Sequence, residues 1–243
     1  MVMVRAYRAP ASGMPRRLPG VGTDVNDNAA RPVKVDIWSD IACPWCFIGK
    51  RRFESALQDF DGEVEVEFHS FELAPDTPVD FEGSEVDFLA HHKGMDAGQV
   101  EQMLTQMTAL AADEGLSYDF EALRHTKTLL AHQALHFAKE HGKQIELKER
   151  LLSAYFEQGR HVGRVDELVA LGAEVGLDAD ALREALESGR HADDVEADIA
   201  QARAYGISGV PFFVFDGRLG VSGAQAPETF RQVLDRAVAE ASA

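Results

Sequence analysis

The only two cysteines among 243 residues stand together as Cys43-Pro44-Trp45-Cys46. Two thiols at this spacing suit three roles: dithiol–disulfide exchange, half of a zinc site, or an inert buried pair. The flanking patterns favour the first. Val33, Val35 and Ile37 alternate with Lys34, Asp36 and Trp38, the period-2 signature of a half-buried strand. After Cys46 the period changes, with Gly49, Phe53, Leu57 and Phe60 on one helical stripe that also includes Cys46. Pro44 suits the first turn of that helix, where a missing N–H is harmless. Cys43 is then expected at the helix N-terminus facing solvent, with Cys46 one turn in on the buried side. Unpaired amides and the helix dipole would stabilise a thiolate at Cys43, making it the nucleophile and Cys46 its resolving partner.

The other two readings are weaker. A structural zinc site needs four ligands, and the chain has no second CxxC. His91 and His92 are adjacent in sequence, and the nearer His69 stands alone, so no metal is expected. An inert pair fits poorly with a Pro-containing turn that precedes the apolar stripe. No metal or organic cofactor is required by dithiol chemistry.

Composition narrows the class. With 45% hydrophobic and 27% charged residues the chain is an ordinary globular protein, large enough for one domain with an insertion or for two small ones. A formal net charge of −17 argues against nucleic acid and anionic membrane as partners. Residues 1–31 differ from the rest, with Arg5, Arg8, Arg16, Arg17 and Arg31 against Asp24 and Asp27. They hold no continuous apolar stretch, and their prolines oppose an amphipathic helix, so they read as a disordered leader. The expected compartment is therefore the cytoplasm, where a lone CxxC is more plausibly catalytic than structural.

Along the chain, Glu63 to Phe68 alternate strictly and read as a second strand with a solvated acidic face. Ala74-Pro75-Asp76-Thr77-Pro78 breaks the pattern, and helical periodicity then dominates from about 84 to 205. Its stripes include Val100–Leu110, Leu130–Ala138, Ile145–Phe156 and Val165–Val175, with Asp178 capping a shorter helix and Val195, Ile199 and Ala202 marking the last. The Met and Leu stripe at 100–110 reads as core. Gly209-Val210-Pro211 leads into the apolar run Phe212–Phe215, and Asp216-Gly217 signals a hairpin to Leu219–Ser222. Pro227 opens a closing helix. This order predicts an α/β protein whose mixed sheet is interrupted by a helical block after its second strand.

CPWC at a strand-to-helix turn, with Gly-Val-Pro before an apolar strand and hairpin, resembles the DsbA-like thioredoxin-fold oxidoreductases. The stretches Ser39–Lys50 and Ala131–Ala138 resemble the FrnE-type branch. The resemblance implies a thioredoxin fold with an inserted all-helical domain. Residues 32–75 and 190–243 would form the discontinuous thioredoxin-like domain and 76–189 the insertion. It implies that Cys43 attacks and Cys46 resolves. It also implies a cis Pro211 beside the sulfurs, with Pro44, Trp45, Val210 and Pro211 meeting protein or small thiol and disulfide substrates. His132 could stand near the site in the family's manner, but a histidine among Leu130, Ala134 and Leu135 is more often a partly buried helix residue and is not counted in the site. Asp40 could tune the thiols, with a solvated turn acid an equal reading. The alternative function is a glutathione-dependent small-molecule isomerase or transferase of the chromene-carboxylate isomerase or kappa type. Those families usually carry Ser where this chain has Cys43, which favours the oxidoreductase.

Overall fold

A computed structural model describes residues 31–241, so the expected leader lies almost wholly outside the described residues. Strand β1 (Val33–Ser39) leads through α1 (Pro44–Gln58) to the parallel strand β2 (Val64–Ser70), paired in register from Val33–Val64 to Ser39–Ser70. Seven helices follow: α2 (Glu85–Lys93), α3 (Ala97–Asp113), α4 (Leu129–Glu140), α5 (Gln144–Phe156), α6 (Val165–Glu174), α7 (Ala179–Glu187) and α8 (Ala192–Ala204). The chain then returns as β3 (Phe212–Phe215), antiparallel to β1, and β4 (Leu219–Ser222) before α9 (Pro227–Ala241). The mixed sheet has the order β2-β1-β3-β4.

Local chemistry sets most boundaries. Ser84 and Asp87 form a capping box at α2, and Asp178 accepts from the Ala181 amide at the start of α7. Asp216 and Gly217 both adopt positive φ, at 50° and 67°, the backbone that a tight hairpin with right-handed twist requires.

Two expectations about the sheet fail for one reason, which is that both of its faces are covered. Helices α1 and α9 bury Val35, Ile37, Phe213 and Phe215 on one face. On the other face α8 lies against β2, and Trp38, expected on a half-exposed face, is fully buried with its indole N–H donating 3.0 Å to the Asp198 carbonyl. The acidic face of β2 is likewise not simply solvated. Glu67 is paired with Lys139 of α4 and Lys34 of β1.

The helical segment has its own core, which includes Leu135, Phe137, Leu147, Leu151, Leu152 and Tyr155. Ile41, Phe47 and Ile48, from the loop and helix carrying the cysteines, belong to this cluster rather than to the one beneath the sheet. Helix α1 is thus shared. Its Phe53 side faces the sheet, and its Phe47 side faces the helical segment.

Candidate active site

Pro44 occupies the first turn of α1 and Cys43 is its N-cap residue, with φ −95° and ψ 111°, as the sequence predicts. The Cys46 amide donates to the Cys43 carbonyl at 3.0 Å and closes the turn. Both cysteines are free thiols and both are buried, each only 3% exposed. The expectation that Cys43 faces open solvent is therefore wrong. Helices α2 and α3 and the loop at Phe120–Thr128 roof the cysteine turn and enclose a cavity of about 340 Å³. Cys43, Pro44 and Trp45 line this cavity and Cys46 does not. Trp45, 39% exposed, stands at its rim. Tyr118 fixes the turn from the helical side, donating 2.7 Å to the Pro44 carbonyl. The Met and Leu stripe of α3 has two roles, since Leu104 and Met107 are buried yet also line the cavity together with Met103.

The second motif closes on the first across 167 residues. The Val210–Pro211 bond is cis, and the Cys43 thiol donates to the Val210 carbonyl at 3.5 Å. Gly49 makes the approach possible. A Cβ there would lie 2.9 Å from Pro211 Cγ and 3.3 Å from Ala224 Cβ, so any larger residue would press α1 away from the proline.

Charge at the dithiol is distributed differently from the sequence expectation. The neighbouring Cys46 sulfur, with burial and the nearby Asp40 carboxylate, pushes Cys43 well above the ordinary thiol range. The Cys46 amide at the helix N-terminus acts in the opposite sense and is outweighed. Burial also opposes ionisation of Cys46. There, however, the neighbouring Cys43 thiol and the positive charge of Lys148 win, and its pKa is lowered. Of the two thiols, Cys46 is thus the one whose ionisation its surroundings favour.

The polar groups around the pair come from both sides of the chain. Asp40, 1% exposed, accepts from the amides of Leu73 at 2.8 Å and Ala42 at 3.3 Å. Its carboxylate also lies 3.4 Å from His132 Nε2 on α4. Burial alone would raise Asp40, but the bond to His132 and those to the Leu73 amide and Thr128 hold it below the usual carboxylate value. Glu72, the residue before Leu73, is pushed up to about 7 by burial and by Asp40. Asp40 and His132 both stand at the site, whereas sequence alone favoured a bland reading of His132 and left Asp40 evenly divided. Lys148 and the His125–Glu85 pair, bonded at 2.8 Å in the cavity wall, carry no local motif. Only spacing on α5 hints at Lys148, which falls on the buried side among Leu147, Leu151 and Leu152.

His69 does not stand alone as the sequence suggested. It bonds Asp198 at 2.8 Å and Asp36 at 2.9 Å, and donor atoms of Asp36, Glu67 and His69 lie within 4.8 Å of one another. Lys34, Lys139 and Asp198 already pair with these groups, so the cluster is an ion-pair network joining β1, β2 and α8.

A cysteine pair at the start of α1, facing a cis proline across a four-stranded mixed sheet, defines a thioredoxin-fold dithiol protein. The family model for the DSBA-like thioredoxin domain matches residues 34–235, and the chain belongs to that family. It is 42% identical to a probable DsbA oxidoreductase from Streptomyces coelicolor, whose crystal structure superposes with a TM-score of 0.81 over 86% of this chain and 91% of that one. It is 32% identical over 206 residues to YwbO, an uncharacterized protein of Bacillus subtilis, covering 83% of this chain and 96% of YwbO. The fold also matches the cytosolic disulfide reductase DsbM from Pseudomonas aeruginosa at 19% identity and a TM-score of 0.59, covering 85% and 99%. Among the described residues no helix is long and apolar enough to cross a membrane.

Proposed function

We propose that this chain is a thiol–disulfide oxidoreductase of the FrnE-type branch, with Cys43 exchanging with substrate and Cys46 resolving. The observation that carries this reading is the asymmetry of the pair. Cys43 lines the cavity beside the cis Val210–Pro211 bond, while Cys46 does not line it, and ionisation is favoured at Cys46 over Cys43. To attack a substrate disulfide, Cys43 passes its proton to Cys46 and becomes the thiolate. Its sulfur bonds one substrate sulfur and the other leaves as a thiolate. Cys46 then loses that proton and attacks Cys43, releasing the second substrate thiol and closing the Cys43–Cys46 disulfide. In the opposite direction a substrate thiolate attacks Cys43 and Cys46 departs as the stabilised thiolate. A better leaving group speeds this step.

Trp45 and Pro44 at the rim and the Val210–Pro211 backbone would hold the substrate sulfur against Cys43. The expected cytoplasmic location belongs to the same proposal. Its support is that a lone CxxC in a chain with two cysteines suits a reducing compartment, where such a pair is catalytic rather than structural, and cell fractionation tests it. Mixed-disulfide trapping tests the mechanism. Cys46→Ala should accumulate adducts with a model disulfide substrate on non-reducing gels, and Cys43→Ala should form none and lose turnover. Equal trapping by both variants would overturn the assignment of roles.

A further inference from the structure

The roof over Cys43 carries a polar group that the exchange chemistry does not use. His125, 5% exposed, lines the cavity, and its Nδ1 lies 2.8 Å from a Glu85 carboxylate oxygen and 3.4 Å from the Tyr155 hydroxyl. The ring is clamped, stacked on Phe88 with centroids 3.3 Å apart and met edge-on by Phe81. An ionised carboxylate only accepts, so it draws the ring hydrogen to Nδ1 and leaves a lone pair on Nε2. That Nε2 has no hydrogen-bond partner among the described residues, yet it is not sealed in as His132 Nδ1 is. A fixed acceptor therefore opens into the cavity that Cys43 also lines.

The other walls define what suits the space. Phe88, Leu89, Met103, Leu104, Met107 and Phe120 make it mainly apolar, and the methionines can adapt to the shape of a bound molecule. Its carboxylates are committed, Asp40 to two amides and His132, Glu85 to His125. Lys93 is the one lysine or arginine among the described lining residues, and both it and His92 are exposed. A substrate carboxylate would find no buried cation there. The volume of about 340 Å³ falls among small-molecule pockets, roughly 300–1,000 Å³. The same roof keeps the disulfide of a folded protein from Cys43.

We propose that the cavity is a subsite for low-molecular-weight apolar disulfides and thiols bearing a hydrogen-bond donor such as a phenolic hydroxyl, with His125 Nε2 as the acceptor that selects them and Glu85 as its positioning residue. The inference rests on the oxidoreductase reading above and names its substrate class. The exchange keeps the same balance. The bound disulfide takes two electrons and two protons from the dithiol and leaves as two thiols, and the Cys43–Cys46 bond forms.

Matched substrates test this. The reduced protein should turn over bis(para-hydroxyphenyl) disulfide with a kcat/KM about tenfold above that for bis(para-methoxyphenyl) disulfide, where a methyl group replaces the donor hydrogen, because one hydrogen bond is worth about that factor. Glutathione disulfide, which brings carboxylates, should fall below both. His125→Phe combined with Glu85→Gln keeps a ring beside Phe88, leaves no buried charge unpaired and should erase the hydroxyl preference. Should that variant not fold, nitrogen NMR of His125 in the unaltered protein decides the question, with bis(para-hydroxyphenyl) sulfide as a probe that cannot exchange. The Nε2 resonance should shift as a hydrogen bond to it forms, and an unmoved resonance would overturn the proposal. Turnover of glutathione disulfide or of a disulfide-bonded protein equal to that of the hydroxyphenyl compound overturns this inference alone, as does a hydroxyl preference that survives in the variant. A protein that exchanges with none of these disulfides overturns the oxidoreductase reading and this inference with it.

Discussion

Residues 33–70 and 207–241 place the two sulfurs, the cis proline and the sheet, whereas residues 85–204 supply the roof, the cavity and much of the charge around the dithiol. The first region is built by short-range rules: alternation, a helix cap, a hairpin turn. The second contributes His132, Lys148 and Tyr118 from three different points of a helical stack. The difference shows how a common redox motif acquires particular electrostatics. The sheet fixes where the sulfurs sit, and the helical segment adds Lys148, which favours ionisation of Cys46.

If that division were a division into independent domains, the two cores would unfold separately. The shared helix α1 argues otherwise, since Phe47 and Ile48 sit in one cluster and Phe53 in the other. Phe53→Ala should destabilise by about 3–5 kcal/mol and Leu152→Ala by about 2–5 kcal/mol. Both should shift one common denaturation transition, followed by circular dichroism and by tryptophan fluorescence. Two separate transitions would break the comparison in favour of autonomous units.

A smaller perturbation probes the closure between Gly49 and Pro211. Gly49→Ala forces contact with Pro211 Cγ and should cost about 1–3 kcal/mol, as overpacking does. Because the displaced group borders Cys43, turnover should fall more steeply than the melting temperature does. Turnover that merely tracks stability would show that the approach has no bearing on the dithiol.

The ion-pair network under β2 gives a pH signature distant from the sulfurs. Burial alone would lower His69, yet its bonds to Asp198 and Asp36 raise it to about 9. A raised folded-state value means that the network stabilises the protein fully below about pH 6.5, and that this stabilisation disappears as pH climbs through about 9. Urea denaturation across that window should show a loss of about 1–3 kcal/mol that is absent in His69→Gln. An unchanged pH dependence in the variant would place the effect elsewhere.

The smallest effect concerns Asp40, whose charge disfavours the thiolate at Cys43. Asp40→Asn removes that repulsion while still able to accept from a backbone amide. The alkylation rate of the dithiol should then rise at lower pH, by a shift of about one unit or less. A shift to higher pH would mean that Asp40 acts through His132 rather than by its own charge.

The sequence by itself determined the strand and helix order, the helix ends at Pro44 and Asp178, the Asp216-Gly217 hairpin and the identity of both cysteines. These depend on residue type and on periodicity over a few neighbours, information that lies wholly in the local chain. Tertiary structure alone decided that the sheet is covered on both faces, that Cys43 is roofed rather than exposed, and that ionisation is favoured at Cys46 over Cys43. Helix-terminus reasoning could not anticipate the last point. The field at a buried sulfur is set by its partner thiol, by Asp40 beside the motif and by Lys148 of the distant helix α5, and low-dielectric surroundings let them outweigh a single turn of amides. Packing brought those groups together, and no pattern in the sequence records their distance.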